Sequence, residues 1–241
     1  MGLQVATGSE GKDKAMIIII SGAVVLAILG SALVVWFKDR RYSESKNLDV
    51  KRIIQTNLKF AIITLTVFLG VSLLGAWLCI RSGSAYVPLC KELLLIYGLF
   101  LIAFIDFKEH IIPNSILITL LVARIGFLIY ESVVAYDILQ TVLLLPLLGA
   151  LIGGGIILVA MLISRKGVGM GDVKMFLIIG LFTGSALIIP TLFYTILISA
   201  LVGLGLVVTR KAKLSDAMPM APFACVGVVA NMILSYWGGL V

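Results

Sequence analysis

Long apolar stretches dominate this chain and restrict its fold more than any other feature. Of its 241 residues, 61% are hydrophobic and 13% are charged. About 20 apolar residues are enough for a helix to cross the hydrocarbon core of a bilayer. Because backbone in lipid must satisfy its hydrogen bonds internally, the sequence predicts an all-α polytopic bundle of about eight transmembrane helices. The apolar stretches cover roughly residues 16–37, 58–80, 88–107, 113–135, 138–164, 173–188, 190–209 and 219–237.

Two segments of the chain need separate treatment. The region from Val173 to Thr209 is too long for a single crossing, and it contains Gly184 and Pro190. Both residue types interrupt regular helices, so we expect a tight turn between two short helices. Residues 1–15 are polar and Gly-rich. We interpret them as a tail, either flexible or added for expression, and residues 16–241 as one integral membrane domain.

The positive charge of the chain follows membrane topology. The formal net charge is +7, but the basic residues lie in short gaps between apolar stretches, so we expect no nucleic-acid partner. Most of them follow the first, third, fifth and seventh stretches. Because cytoplasmic loops are enriched in Lys and Arg, these gaps are predicted to face the cytoplasm and both termini to lie outside. The basic residues on that side are Lys38, Arg40, Arg41, Lys46, Lys51, Arg52, Lys108, Arg165, Lys166, Lys174, Arg210, Lys211 and Lys213.

Two aspartates lie at the ends of apolar stretches, where a carboxylate is costly to keep. Asp106 closes the third stretch and Asp172 precedes the sixth. The predicted topology places both at the cytoplasmic face, which indicates a paired-acid site. Peptide hydrolysis by two carboxyl groups needs an ionised group that activates water and a protonated group that donates to the carbonyl oxygen. Two carboxyl groups that share a site do not both ionise easily, so they act as a coupled unit.

Alternating glycines precede the second aspartate. Gly167, Gly169 and Gly171 favour an extended segment that allows close backbone approach. Such a segment could add a strand to an unwound substrate and present the scissile bond to Asp172. The alternative is a flexible loop that ends in Asp172 as a helix N-cap. Lys174 either lowers the pKa of the neighbouring acid, binds lipid phosphate or serves as a membrane anchor.

The surroundings of Asp106 also have two interpretations. Pro113 suits the first turn of the next helix, which would place Asp106 beside a turn. Alternatively, Asp106 is an interfacial carboxylate that pairs with Lys108. In the following helix, Arg124 lies where a charge is expensive. We expect it to pair with a carboxylate such as Glu131 or to line a polar cavity, and we favour a structural role.

Three short motifs carry a resemblance to a known family. They are Ile105-Asp106-Phe107-Lys108 with Ile112-Pro113-Asn114 behind it, Gly167-Val168-Gly169-Met170-Gly171-Asp172-Val173-Lys174, and Met218-Pro219-Met220-Ala221-Pro222-Phe223. Their order and spacing over roughly residues 88–237 resemble the type IV prepilin peptidases of the GxGD intramembrane aspartyl protease class. Presenilin-like members of that class usually have a Tyr-Asp pair and a Pro-Ala-Leu element, which this chain lacks.

The resemblance implies a function and a set of site residues. It implies a membrane aspartic endopeptidase that removes the basic leader from prepilins or pseudopilins at the cytoplasmic face of the cell membrane, in type IV pilus assembly or secretion. Asp106 and Asp172 are then the catalytic pair. The substrate-binding or site-shaping residues are Gly167, Gly169, Gly171, Lys174, Pro113 and Asn114. The expected partners are these leader segments and the lipid bilayer.

Larger bacterial members of the family carry an N-terminal cytoplasmic region, often with two CxxC pairs, that is linked to methylation of the new N-terminus. Here the first predicted cytoplasmic loop has no cysteine, and His110 is the only histidine. We therefore predict a peptidase with no metal and no cofactor, and the missing cysteines argue against methyl transfer. The main alternative is a transporter that uses both aspartates as a proton or cation relay. A second is a membrane assembly factor with a degenerate site.

Overall fold

The computed structural model describes residues 66–67, 69–78, 80–81, 86–164, 168–210 and 218–237, and every regular element among them is helical. Among these residues, four helices are long and apolar enough to cross a membrane, namely those that begin at Tyr86, Asn114, Leu139 and Met170. Within these residues, the all-α prediction is confirmed. The tail, the stretch 16–37 and the whole first predicted cytoplasmic loop lie outside them, so the number of about eight crossings stays a prediction. The helices are α1 (Leu69–Leu78), α2 (Tyr86–Glu109), α3 (Asn114–Val134), α4 (Leu139–Ile163), α5 (Met170–Val208) and α6 (Ala221–Trp237), with a 3₁₀ turn at Tyr136–Ile138 before α4.

A short loop joins α2 to α3, so the C-terminal end of α2 and the N-terminal end of α3 lie close together. Residues from Leu94 onward form one compact unit that contains every candidate site residue. His110 has a positive φ of 52°, which is incompatible with continued right-handed helix and ends α2. Pro113 then takes an extended conformation as the N-cap of α3. Only the four residues 110–113 separate the end of α2 from the start of α3.

Glycines allow α4 and α5 to approach each other closely. A side-chain carbon added at Gly149 would lie 2.6 Å from the carbonyl carbon of Gly184, and one added at Gly180 would lie 2.7 Å from the amide nitrogen of Ala150. Real side chains do not tolerate such distances, so backbone packs directly on backbone. Interfaces of this kind are typical of membrane helices, because small residues allow van der Waals contact where the hydrophobic effect gives little.

Helix α5 is a hairpin of two arms, and Gly184 is its turn. Gly184 has φ 73° and ψ 178°, outside the helical region. A carbon added at Gly153 of α4 would lie 2.7 Å from the carbonyl oxygen of Phe176 and 2.9 Å from Cδ1 of Ile188. In a straight helix, residues 176 and 188 would be separated by about 18 Å. The arms, residues 170–183 and residues 185–208, therefore fold back beside each other.

The expectation of two helices in this region is confirmed, but the expected place of the break is wrong. We expected the first helix to end near residue 188, just before Pro190. Instead Pro190 lies inside the second arm. The physical reason is that Gly184 can adopt the positive φ that reverses the chain, whereas proline fixes a φ that is compatible with helix.

Candidate active site

The carboxylate of Asp106 lies inside the protein at the end of α2. Its residue is only 5% exposed. One face of α2 is apolar and buried, including Leu99 and Ile102, and it carries Asp106 inward with it. Oδ2 of Asp106 accepts a hydrogen bond of 3.0 Å from the backbone N–H of Ala221. A buried carboxylate needs such a partner, because water cannot reach it freely.

The partner of Asp106 is the first residue of α6, so the carboxylate lies at the positive end of that helix. The helix begins at Ala221, and the N–H of Ala224 donates to the carbonyl of Met220 in its first turn. The N–H groups of a first turn have no partner within their own helix. Pro222 has no N–H, so Ala221 supplies the only backbone donor among the first two residues of α6. The helix terminus and the carboxylate stabilise each other through a charge-assisted hydrogen bond.

Asp172 lies in the first turn of α5. It is the third residue of the helix, and the N–H of Gly169 donates to its Oδ2 at 2.9 Å. The Asp172 N–H in turn donates to the carbonyl of Gly169 at 3.1 Å. The bond from the Gly169 N–H to the Asp172 carboxylate is one half of a capping box. The other half is missing because glycine has no side chain that could accept from the backbone of Asp172. The acid at this position also suits the positive end of the helix dipole.

The glycine segment differs from the extended strand that we expected. Gly169 is extended, with φ −92° and ψ 160°, but α5 begins at Met170, so Gly171 is helical. The prediction of an extended Gly171 is therefore wrong, and so is the alternative of Asp172 as the N-cap. The capping by Asp172 explains the early start, since it stabilises the turn that contains Gly171. Gly167 lies outside the described residues, as does the side chain of Lys108.

Contacts between α5 and the α2–α3 connection bring the two acidic segments together. A side-chain carbon added at Gly171 would lie 3.0 Å from Cβ of Ile112, so this glycine allows close approach of the loop. Nζ of Lys174 donates to Oδ1 of Asn114 at 3.3 Å. Oδ2 of Asp106 accepts from the N–H of Ala221, which adds the start of α6 to this group of contacts. The C-terminal end of α2 and the N-terminal ends of α3, α5 and α6 thus meet at one end of the compact unit.

Sequence reasoning missed the donor at Ala221. The apolar stretch 219–237 predicted a helix in this region, and α6 at Ala221–Trp237 confirms it. The signal that could have identified the donor was the placement of Ala221 directly before Pro222 at a helix start. Such an alanine supplies a first-turn N–H with no partner in its own helix. Which acid it serves depends on contacts 115 residues apart, and the local sequence does not contain that information.

Residues 93–204 match the model of the type IV leader peptidase family. This matched region includes Asp106 and Asp172. Similarity to the type IV leader peptidase family is thus found for residues 93–204 of the chain. The start of α6 lies beyond the matched residues, so the contact between Asp106 and Ala221 joins the family region to the segment that follows it.

A relative of this family is similar over a longer part of the chain. The prepilin leader peptidase/N-methyltransferase of Bacillus subtilis (strain 168) is 30% identical over 160 residues, which are 66% of this chain and 60% of that protein. The chain therefore spans less than two thirds of the length of this relative. No solved structure matches the chain.

Proposed function

We propose that this chain is a membrane aspartic endopeptidase that removes the basic leader from prepilins or pseudopilins. The observation that carries the proposal is the convergence of Asp106 and Asp172, from distant parts of a leader-peptidase family region, at one end of a helical unit. The family match of residues 93–204 and the name of the relative support the substrate class. We place this end of the unit at the cytoplasmic face, in a bundle of about eight crossings whose termini lie outside.

In the proposed reaction, the two aspartates act as a coupled pair that holds one proton. The ionised carboxyl group removes a proton from water as it attacks the scissile carbonyl, and the protonated one donates to the carbonyl oxygen. A proton then passes to the leaving amine. Asp106 is held by Ala221 from α6, and Asp172 is held by Gly169 in its own turn. Each carboxylate is thus oriented before substrate binds, which lowers the cost of reaching the transition state.

The remaining site residues shape the entrance in this proposal. Pro113 and Asn114 set the start of α3, and Lys174 links Asn114 to the turn of Asp172. Gly169 and Gly171 keep side chains away from that turn, and we include Gly167 on the basis of the family motif. An unwound leader segment would approach along these backbone groups, with the lipid bilayer beside it.

The transporter alternative receives less support from the geometry. A relay across a membrane usually has acids near the middle of the helices, at a broken segment. Here Asp106 is near the end of α2 and Asp172 is at the start of α5, whereas the break of α5 is at Gly184. Both acids are therefore at helix ends, where a loop substrate can reach them.

The proposal is tested by cleavage in a reconstituted system. The purified chain in liposomes is incubated with a prepilin-type peptide that carries a basic leader and an apolar segment, and the products are identified by mass spectrometry. We expect one cut between leader and apolar segment, with equal rates with and without a zinc chelator. A peptide without the leader is the control. Intact peptide after prolonged incubation with correctly folded protein would refute the proposal.

The contact at the start of α6 gives a second prediction. Ala221→Pro removes the N–H that donates to Asp106 while keeping a residue that helix starts accept at the first position. We expect cleavage to fall at least about tenfold, because the buried carboxylate loses its charge-assisted hydrogen bond. The rate of leader release is measured in the same liposomes.

The matched control for this change is Ala221→Gly, which keeps the N–H. Its rate should stay within about threefold of that of the unaltered chain, since only a methyl group is lost. Equal rates for the proline and glycine variants would contradict a role of this hydrogen bond in positioning Asp106.

A further inference from the structure

Arg124 is a buried cation in the middle of α3 that the proposed chemistry does not use. Its residue is 2% exposed. Nη1 of Arg124 donates to Oε2 of Glu131 at 2.9 Å, which confirms the expected pairing. The guanidinium carbon also lies 5.9 Å from the centre of the Phe182 ring. A charge at this depth is expensive and is kept where it has a specific partner.

The decisive contact of Arg124 is with backbone. Its Nε donates to the carbonyl oxygen of Leu181 at 2.7 Å, within the protein interior. In an α-helix, that carbonyl would accept from the N–H four residues later, at residue 185. Gly184 has non-helical φ and ψ, so residue 185 is displaced from this position. Leu181 therefore has the first carbonyl whose helical donor falls beyond the turn.

A carbonyl without a donor inside a membrane protein costs several kcal/mol, so an external donor is valuable here. Arginine suits this role because its planar group can donate from Nε to one acceptor and from Nη1 to another at fixed angles. Leu181 lies near the C-terminal end of the first arm, residues 170–183, and Asp172 lies in the first turn of the same arm. At its other end, Lys174 donates to Asn114 of the same helix α3. The first arm is thus attached to α3 near both of its ends.

We propose that Arg124 is a positioning residue that replaces the missing helical donor at Leu181 and thereby fixes the arm that carries Asp172. This inference rests on the proposed function for its effect on catalysis, but the clamp itself is a structural statement. Loss of the clamp lets the arm shift relative to α3, and small displacements of a catalytic group reduce turnover strongly. Substrate binding changes little, because Arg124 is far along α3 from the loop at the site.

The test compares variants that separate the clamp from the buried charge. The double variant Arg124→Met with Glu131→Leu removes both partners of the ion pair, so no isolated charge remains. The control Glu131→Gln keeps an acceptor for Nη1 and keeps the Nε contact with Leu181. Hydrogen exchange of residues 170–183 reports on the clamp, and kcat and KM for leader cleavage report on positioning.

For the double variant we expect amide exchange in the first arm to rise about tenfold, kcat to fall at least about tenfold and KM to stay within about twofold. Glu131→Gln loses the ion pair but keeps the contact with Leu181, so its changes in exchange and kcat should be clearly smaller than those of the double variant. If the double variant does not accumulate in the membrane, Arg124→Lys answers the same question. Lysine keeps the charge but lacks the planar guanidinium that donates to two acceptors at fixed angles. We therefore expect smaller changes of the same sign in exchange and kcat.

Several outcomes would overturn the inference. Unchanged exchange in the arm would refute the clamp whatever the activity. Raised exchange with unchanged kcat, or a rise in KM alone, would refute the positioning role. Equal effects of Glu131→Gln and the double variant would show that the charge pair, and not the contact with Leu181, is what matters. If the unaltered chain cleaves no leader, the proposed function fails, while exchange still decides the clamp.

Discussion

We expect Asp106→Asn and Asp172→Asn each to reduce leader cleavage about 10³-fold or more, to the background rate. Asparagine has nearly the same shape as aspartate but neither carries the negative charge nor exchanges the proton. General acid–base groups typically contribute about 10² to 10⁴-fold, and residues that act as a unit lose most of the effect when one is removed. The double variant should therefore be little worse than either single variant. Initial rates of leader release in liposomes measure all three.

The chain offers a matched control for these changes. Asp137 is an exposed acid in the 3₁₀ turn between α3 and α4. Asp137→Asn alters the charge of the protein by the same amount and should leave the rate unchanged. The folded state of each variant is checked by its thermal unfolding in detergent. A folded Asp106→Asn or Asp172→Asn variant that retains more than about a tenth of the activity would remove that residue from the mechanism.

We expect Gly149→Ala to destabilise the membrane domain by about 3 kcal/mol or more. Its new methyl group would meet the backbone of α5 at Gly180 and Gly184, and backbone cannot move aside as a side chain can. Overpacking of a core typically costs about 1–3 kcal/mol, and separation of α4 from α5 adds lost contact along the interface. Because α5 also carries Asp172, cleavage should fall together with stability. Thermal unfolding in detergent and the cleavage rate are measured side by side.

Gly155→Ala is the internal comparison for this prediction. It lies on the same helix as Gly149, and a carbon added there has no neighbour within 4 Å. The same substitution in open space should be neutral or should stabilise the helix by up to about 1 kcal/mol, since alanine has the higher helix propensity. Similar unfolding temperatures for the two variants would contradict the close α4–α5 packing.

Several features of the site were readable from local sequence, each for a physical reason. Asp106 and Asp172 stood out because a carboxylate beside an apolar stretch is costly without a function. The pairing of Arg124 with Glu131 followed from the same cost. The two helices between Val173 and Thr209 followed from length alone, because about 30 Å of hydrocarbon limits a helix to far fewer residues than this region holds.

Other features were not accessible in this way. The turn of α5 was assigned to the wrong place, because proline and glycine both interrupt helices in isolation, although only Gly184 can adopt the positive φ that reverses the chain here. The helical state of Gly171 depends on Asp172 capping its own turn. The partners Ala221 of Asp106 and Leu181 of Arg124 belong to other helices, and no local pattern relates them.

Hydropathy and the cost of buried charge thus determined that the chain is a helical membrane protein with two acids at helix ends, since both properties act over about one helix length. Only the tertiary structure decided which backbone groups hold those acids and where α5 reverses. The reason is that those contacts depend on how closely distant helices approach, and that distance is set jointly by residues such as Gly149 and Gly180.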